Sequence, residues 1–255
     1  MNRDKALILI SNDDGVSARG IAHLVDIARE FGDVVVVAPD SAQSGKSSAI
    51  TVETPLRVKQ LPAAVGVTIY AVNGTPVDCV KIAMHTLLER KPDLVLSGIN
   101  HGSNSGNSMI YSGTMGVAFE GAINAIPSIG FSLTNHSPNA DFSGTTEIIR
   151  EIISKVMDKG ISEGYCLNVN IPETKQLNGY KVVRAARGRW IEEYQKGTDP
   201  HGRDYYWLTG SYMDLEPNSD ETDHYWLARD YATIVPCKVD QSAAELIEEV
   251  TAIFK

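Results

Sequence analysis

The ten residues ALILISNDDG at positions 6–15 join a run of five apolar side chains to a polar turn. An unbroken apolar run bounded by turn residues is typical of a strand that is buried on both faces of a parallel sheet. The run is too short for a signal peptide or a membrane span. Ligands of open parallel sheets bind beyond the carboxyl ends of the strands. The stretch therefore predicts an α/β fold and places residues 11–15 at the expected binding edge.

Apolar runs and helical periodicities alternate as far as about residue 172. In the first predicted helix, Ile21, Leu24 and Ala28 lie on one face at helical spacing. Strands are predicted at 6–10, 34–37, 93–97, 127–133 and 165–171, β-like segments at 50–60 and 67–72, and helices at 17–31, 76–89, 112–126 and 144–158. This alternation indicates a mostly parallel sheet that is flanked by helices.

The C-terminal part of the chain has a different composition. Residues 179–212 are rich in Tyr, Trp, Arg and Gly, which favours extended hairpins, and a last helix is predicted at 241–254. The sequence has no internal repeat and no low-complexity linker. We therefore predict one domain over 1–255, made of an α/β core at 1–178 and an appendage at 179–255 that serves assembly or closure of the site.

The net charge of the chain argues against one class of binding partner, nucleic acids. Its 255 residues carry a formal net charge of −9. Neutralising many phosphates requires a basic patch, so this charge disfavours a stable complex with nucleic acid. Three widely separated cysteines without a CxxC pair favour buried, reduced thiols over a disulfide framework. We expect a cytoplasmic protein without a membrane anchor.

Asp13 and Asp14 lie in the turn directly after the first predicted strand. Adjacent carboxylates repel each other unless a cation lies beside them, and divalent metal ions bind such oxygen ligands. One aspartate could instead cap the next helix, because a negative charge is favourable at a helix N-terminus. A consecutive pair beside Asn12 and the turn-forming Gly15 exceeds what a cap requires. We therefore predict that the pair binds a metal ion.

Three later segments carry polar groups that the topology brings to the same edge. Ser44 lies in the loop after the second strand and could supply an oxygen ligand. In the loop at 98–111, Asn100 offers an amide oxygen to a hard cation, and Asn104 offers an amide donor to an anion. The residues Ser112, Gly113 and Thr114 begin a helix, where free backbone N–H groups favour a phosphate.

These segments resemble the motifs of the SurE family, the metal-dependent survival-protein nucleotidases. The matching segments are 10–15, 37–40 with Ser44, 73–76 with 78–80, 97–100 with Gly102 and Asn104, 111–114, 168–172, and Thr222-Asp223 with the strand at 233–236. The resemblance therefore extends over nearly the whole chain.

The resemblance implies a Rossmann-like core and a phosphatase that acts on nucleoside 5′- and 3′-monophosphates. It implies one divalent cation per subunit, Mg²⁺ or Mn²⁺, bound by Asp13, Asp14, Ser44 and Asn100. It also implies that the C-terminal appendage is exchanged in a homodimer or homotetramer. In the mechanism that we expect, Asp13 or Asp14 orients or deprotonates the attacking water, and the phosphate is held by Asn12, Asn104, Ser112, Gly113 and Thr114.

Three other classes stay open at this stage. An aspartyl-phosphate phosphatase uses a carboxylate as the nucleophile, but its two strand-end carboxylates are one residue apart as DxD rather than adjacent. A phosphoacceptor signalling domain requires an aspartate at the end of a central strand, where this chain has Ser97-Gly-Ile-Asn100. A nucleotide sensor without turnover could use the same polar loops and differs from an enzyme in releasing no phosphate.

Overall fold

The computed structural model describes residues 5–255, which form a nine-stranded central sheet and two small two-stranded sheets. The strands are β1 (Ala6–Ser11), β2 (Gly32–Pro39), β3 (Val58–Leu61), β4 (Val67–Val72), β5 (Leu94–His101), β6 (Ser128–Leu133), β7 (Tyr165–Ile171), β8 (Tyr180–Val182), β9 (Gly188–Ile191), β10 (Tyr194–Thr198), β11 (Asp204–Leu208), β12 (Ser211–Asp214) and β13 (Ala232–Lys238). The helices are α1 (Arg19–Ala28), α2 (Pro76–Ile82), α3 (Gly113–Ile123), α4 (Thr146–Lys159), α5 (Asp223–Leu227) and α6 (Ile247–Ile253).

The central sheet confirms the predicted α/β class. Its strand order is β3-β4-β2-β1-β5-β6-β7-β13-β8, and the strands from β4 to β7 run parallel. Ile8 and Ile10 of β1 belong to the cluster that contains the apolar residues of α1 and α4. Leu7 and Leu9 pack instead against residues of α2 and α3. Burial on both faces explains why this strand is apolar throughout.

The direction of the chain across the sheet reverses next to β1. From β1 the chain proceeds to β2 and β4 on one side, and it later returns to β5, β6 and β7 on the other. The carboxyl ends of β1 and β5 therefore define the topological switch point, where open α/β sheets form their ligand crevice. The acidic pair lies in the loop after β1, whereas Asn100, predicted in the loop at 98–111, lies within β5 near its carboxyl end because the strand extends to His101.

Helix α2 begins where the sequence predicts. Thr75 Oγ1 accepts the backbone N–H of Asp78 at 3.1 Å, and the Asp78 carboxylate accepts the backbone N–H of Thr75 at 2.8 Å. This capping box satisfies two N–H groups at the start of the helix, and Pro76 occupies its first turn. The α-helix is shorter than the predicted 76–89, because it ends at Ile82 and continues as a π-helical turn over Ala83–Leu87.

The C-terminal part adds strands to the central sheet as well as hairpins beside it. Strand β13 pairs antiparallel with β7 and parallel with β8, so both C-terminal strands extend the main sheet. The pairs β10–β11 and β9–β12 form the predicted extended hairpin region. The division of the domain at residue 178 stays a prediction.

Two C-terminal helices differ from the sequence expectation. Helix α6 covers only Ile247–Ile253 of the predicted 241–254. Helix α5, with five residues, was not predicted, because a helix this short shows no apolar periodicity. The three cysteines are buried and unpaired by disulfides. No helix among residues 5–255 is long and apolar enough to cross a membrane.

Candidate active site

Asp13 is a buried carboxylate at the carboxyl end of β1, and its residue is only 4% exposed. Its Oδ1 accepts a hydrogen bond from the Thr114 hydroxyl at 2.6 Å, and the nearby backbone N–H of Gly113 lowers the pKa of this carboxyl. Gly113 and Thr114 are the first residues of α3, so the positive end of the helix dipole is directed at Asp13. A Cβ on Gly113 would lie 2.7 Å from the Asp13 Cβ, which requires glycine here.

Asp14 connects the ends of β1 and β5. Its Oδ2 accepts a hydrogen bond from the backbone N–H of His101 at 3.1 Å. The neighbouring Asn100 donates through Nδ2 to the Gly102 carbonyl at 2.8 Å, which leaves the Asn100 Oδ1 as the atom that can bind a cation. The structure therefore brings two predicted metal ligands, Asp14 and Asn100, to neighbouring strand ends.

Ser44 lies in the exposed loop that follows β2. Hydrogen bonds on both sides of it attach this loop to the candidate site. The Gln43 N–H donates to the Asp13 carbonyl at 2.7 Å, and the Ser47 hydroxyl donates to the Ile110 carbonyl at 2.6 Å. These bonds attach the residues on either side of Ser44 to Asp13 and Ile110, and the role of Ser44 as a metal ligand stays a prediction.

Asn12 and Ser112 form local turns beside the acidic pair. The Asn12 side chain donates to the Gly15 carbonyl at 3.0 Å and accepts the Gly15 N–H at 3.2 Å. The Ser112 hydroxyl accepts the Met115 N–H at 3.0 Å and so caps α3. These contacts account for both residue types structurally, and the phosphate-binding role of both residues stays a prediction.

Asn104 lies above β6 and β7 in a buried polar network. Its Nδ2 donates to Ser132 Oγ at 2.9 Å, and its backbone N–H donates to Asn170 Oδ1 at 2.8 Å. Its carbonyl accepts a hydrogen bond from Asn168 Nδ2 at 2.8 Å. Ser132 is also the register partner of Asn100 on β6. The network therefore places Asn104 at the same edge of the sheet as the predicted metal ligands.

Several residues that hold the loop after β5 in place were not predicted as site residues. Asn168 and Asn170 alternate within the otherwise mostly apolar strand β7, and this spacing could have marked them as side chains of one face. Asp223, which is fully buried, accepts the backbone N–H of Gly106 at 2.8 Å and ties the loop after β5 to α5. Nothing local in the sequence relates Asp223 to that loop.

The two carboxylates are destabilised in their ionised form. Burial raises the pKa of Asp13 to about 6; the hydrogen bond from Thr114 opposes this shift, and the charge of Asp14 adds to it. Burial also raises the pKa of Asp14, although the His101 N–H favours the carboxylate. A cation beside the pair would favour both ionised forms.

The donor set fits a hard divalent cation. Carboxylate, amide and hydroxyl oxygens are the ligands that Mg²⁺ and Mn²⁺ prefer. Within residues 5–255, no three His, Cys, Asp or Glu side chains are grouped to hold a metal ion. A metal at Asp13 and Asp14 would therefore require neutral oxygens such as those of Ser44 and Asn100 in addition to the two carboxylates.

The fold and the site define an α/β protein with an oxygen-rich candidate site for a cation and a phosphate at the switch point of a Rossmann-like sheet. Comparison with known families identifies the group. The family described as Survival protein SurE matches residues 8–192, and the chain belongs to this family. The resemblance in the sequence is thereby confirmed.

Curated relatives and a solved structure match over nearly the full length. The 5′-nucleotidase SurE of Phocaeicola vulgatus is 44% identical over 250 residues, covering 98% of this chain and 97% of the relative. The 5′-nucleotidase SurE of Bacteroides thetaiotaomicron is 47% identical over 250 residues, covering 98% and 96%. The crystal structure of the SurE protein from Aquifex aeolicus superposes with a TM-score of 0.83 at 34% identity, covering 98% of this chain and all of that one.

Proposed function

We propose that the protein is a metal-dependent nucleotidase that hydrolyses nucleoside 5′- and 3′-monophosphates to nucleoside and inorganic phosphate. The observation that carries this proposal is the adjacent pair of buried Asp13 and partly buried Asp14 at the switch point, with Asp13 hydrogen-bonded to Thr114 in the first turn of α3. The relatives named 5′-nucleotidase, at 44–47% identity over nearly the whole chain, support the same activity.

One divalent cation, Mg²⁺ or Mn²⁺, is the proposed cofactor, with Asp13, Asp14, Ser44 and Asn100 as its ligands. When bound, such an ion supplies Lewis-acid stabilisation of phosphate charge and lowers the pKa of a bound water. The chain itself holds Asp13 in place through Thr114 and holds Asp14 through the His101 N–H. These hydrogen bonds restrict both carboxylates to one geometry, as catalysis by positioning requires.

The remaining chemistry is proton transfer and charge stabilisation. Attack of water on phosphorus forms one P–O bond and breaks the bond to the nucleoside oxygen. We assign the proton of the attacking water to Asp13 or Asp14, the two carboxylates at the site, and the departing nucleoside oxygen takes up a proton, so that the products are nucleoside and inorganic phosphate. The proposed phosphate-binding groups are Asn12, Asn104, Ser112, Gly113 and Thr114.

Release of inorganic phosphate tests the proposal directly. The purified protein should release phosphate from nucleoside monophosphates with Mg²⁺ or Mn²⁺, and a chelator should abolish the release. Asp13→Asn and Asp14→Asn should each lower kcat/KM by about 100-fold or more, whereas Asp26→Asn on the exposed side of α1 should not.

The other outcomes identify the rival classes. Full activity in both acidic variants would refute the assigned site. Binding of nucleotide without any phosphate release would indicate a sensor. A phosphoryl group trapped on Asp13 would indicate an aspartyl-phosphate phosphatase.

The assembly and location are also proposed. We assign a homodimer or homotetramer built through the hairpins and the segment that contains α6 and Phe254, because these parts expose large apolar side chains such as Trp207 and Phe254, 68% and 83% exposed. The proposed location is the cytoplasm. Light scattering should show a smaller assembly for Trp207→Ser or Phe254→Ser. It should not do so for Val65→Ser, which alters an exposed loop residue in the N-terminal α/β part of the chain. A monomeric native protein would contradict the proposal.

A further inference from the structure

Besides the hydrogen bond between Gly106 and Asp223, a series of side-chain hydrogen bonds joins the loop after β5 to the C-terminal part of the protein. His224 Nε2 lies 3.0 Å from Ser105 Oγ, and His224 Nδ1 lies 3.5 Å from Asp214 Oδ2. Ser105 is only 7% exposed, whereas the His224 side chain is 23% exposed. A solvent-accessible imidazole is therefore bonded to a buried hydroxyl in the loop that carries Asn104.

The hydroxyl of Ser105 continues this chain toward Asn104. Ser103 Oγ lies 2.7 Å from Ser105 Oγ and 3.1 Å from Asn170 Oδ1. The same Asn170 Oδ1 accepts the backbone N–H of Asn104 at 2.8 Å. Three hydrogen bonds thus lead from the ring of His224 to the oxygen that holds the Asn104 backbone.

We propose that His224 is a positioning residue, which sets the placement of the predicted phosphate ligand Asn104 through Ser105, Ser103 and Asn170. The catalytic consequence rests on the proposed nucleotidase function, in which Asn104 binds phosphate. The hydrogen-bond relay itself does not depend on that function. Ser105 serves here as a link and not as a nucleophile.

The protonation state of His224 determines which group donates in each hydrogen bond between His224 and Asn170. In the neutral ring, Nδ1–H points to Asp214 and Nε2 accepts the Ser105 hydroxyl proton. In the charged ring, Nε2–H donates to Ser105 Oγ, so the Ser105 proton must turn to Ser103. The Ser103 proton then turns to Asn170 Oδ1, where, as the second donor to one oxygen, it weakens the bond from the Asn104 N–H.

The groups around His224 come from three segments. Strand β12 contributes the Asp214 carboxylate and the Tyr212 ring, whose centroid lies 4.8 Å from that of His224. The loop after β5 contributes Ser105. On α5 itself, Asp223 Oδ1 accepts the His224 backbone N–H at 2.9 Å. Histidine is the side chain that ordinarily changes charge near neutral pH, so it is the group in this set suited to drive the relay.

Steady-state kinetics between about pH 5 and pH 8 test the catalytic consequence. As the pH falls, KM for a nucleoside monophosphate should rise threefold to tenfold more in the wild type than in His224→Gln. This difference is roughly the effect of one ordinary hydrogen bond. The kcat ratio of the two proteins should stay within about twofold, because neither Asp13 nor Asp14 is altered. His85→Gln, an exposed histidine elsewhere, should behave like the wild type.

Serine variants distinguish positioning from a general packing role. Ser105→Ala breaks the relay and should raise KM at every pH, whereas Ser105→Thr keeps the hydroxyl and should restore the wild-type pH dependence. Ser154→Ala on the exposed surface of α4 serves as the matched control. Identical KM profiles for wild type and His224→Gln would overturn the catalytic role.

Amide NMR tests the relay without any assay of activity. The Asn104 amide resonance should shift between about pH 5 and pH 8 in the wild type, and this transition should be lost in His224→Gln. An Asn104 amide with the same titration in both proteins would overturn the proposal. If the wild type releases no phosphate but its Asn104 amide shows this transition, the hydrogen-bond relay is supported and only the proposed nucleotidase function fails.

Discussion

Replacement of Asp13 by asparagine should make the metal-free protein more stable at pH 8. Burial raises the pKa of Asp13 from an ordinary value of 3.8 to about 6. At about 1.4 kcal/mol per pKa unit, ionisation of this carboxyl costs the fold about 3 kcal/mol. The substituted amide is neutral and still accepts the Thr114 hydroxyl, but it loses the attraction between the carboxylate and the nearby Gly113 N–H, worth about 1–1.5 kcal/mol. We therefore expect a net gain of about 1–2 kcal/mol in the free energy of unfolding.

The pH dependence of this gain has a defined sign. Between pH 4 and pH 6 the folded state binds more protons at Asp13 than the unfolded chain does, because the pKa of its carboxyl is raised on folding. The stability of the wild type should therefore fall as pH rises through this window, and the deficit should be complete above pH 6. The advantage of Asp13→Asn should grow over the same window and level off near neutral pH.

Equilibrium urea unfolding at fixed protein concentration with a chelator measures this difference, with Asp26→Asn as the control for removal of an exposed carboxylate. The expected gain corresponds to a rise in Tm of roughly 2–8 °C. Saturating Mg²⁺ should reverse the order, since a ligand at about 100 times its Kd stabilises the wild type by about 2.7 kcal/mol. An Asp13→Asn variant that is less stable than the wild type in chelator at pH 8 would refute the reasoning.

Three further changes test the surroundings of this site. Thr114→Val removes the donor to Asp13 and should weaken metal binding about tenfold by calorimetry, whereas Thr114→Ser should not. Gly113→Ala places a Cβ 2.7 Å from the Asp13 Cβ and should lower both stability and phosphatase activity, and an unaltered urea midpoint would contradict this close contact. Thr75→Ala removes the cap to the Asp78 N–H and should lower the free energy of unfolding by about 1 kcal/mol without changing KM; a shifted KM would argue against a purely structural cap.

The parts of the site that the sequence predicted are those with local or periodic causes. The apolar run of β1 predicted a strand buried on both faces, and its end located Asp13 and Asp14. The start of α2 at the predicted residue 76 has a local cause, because the capping-box partners Thr75 and Asp78 are three residues apart. The helix end was predicted less well, since the π-helical turn after Ile82 follows no periodic pattern.

The contacts that position Asn104 could not be read in this way. Asn104 depends on Ser132, Asn168 and Asn170, which come from two other strands. Each asparagine is an ordinary polar residue until β6 and β7 are placed side by side. The raised pKa of Asp13 is likewise a consequence of burial under α3, and burial is a property of the packed molecule.

The sequence by itself determined the class of the sheet, the edge at which the site lies and the acidic pair at that edge. Side-chain alternation and the polar residues at strand ends are patterns among residues that are close in sequence, so they can be recognised from the sequence alone. Only the tertiary structure decided which distant groups meet there, such as Gly106 and Asp223, which are 117 residues apart and hydrogen-bonded at 2.8 Å. Such contacts form because the order of strands in the sheet brings distant segments together, and that order is set by the packing of the whole core.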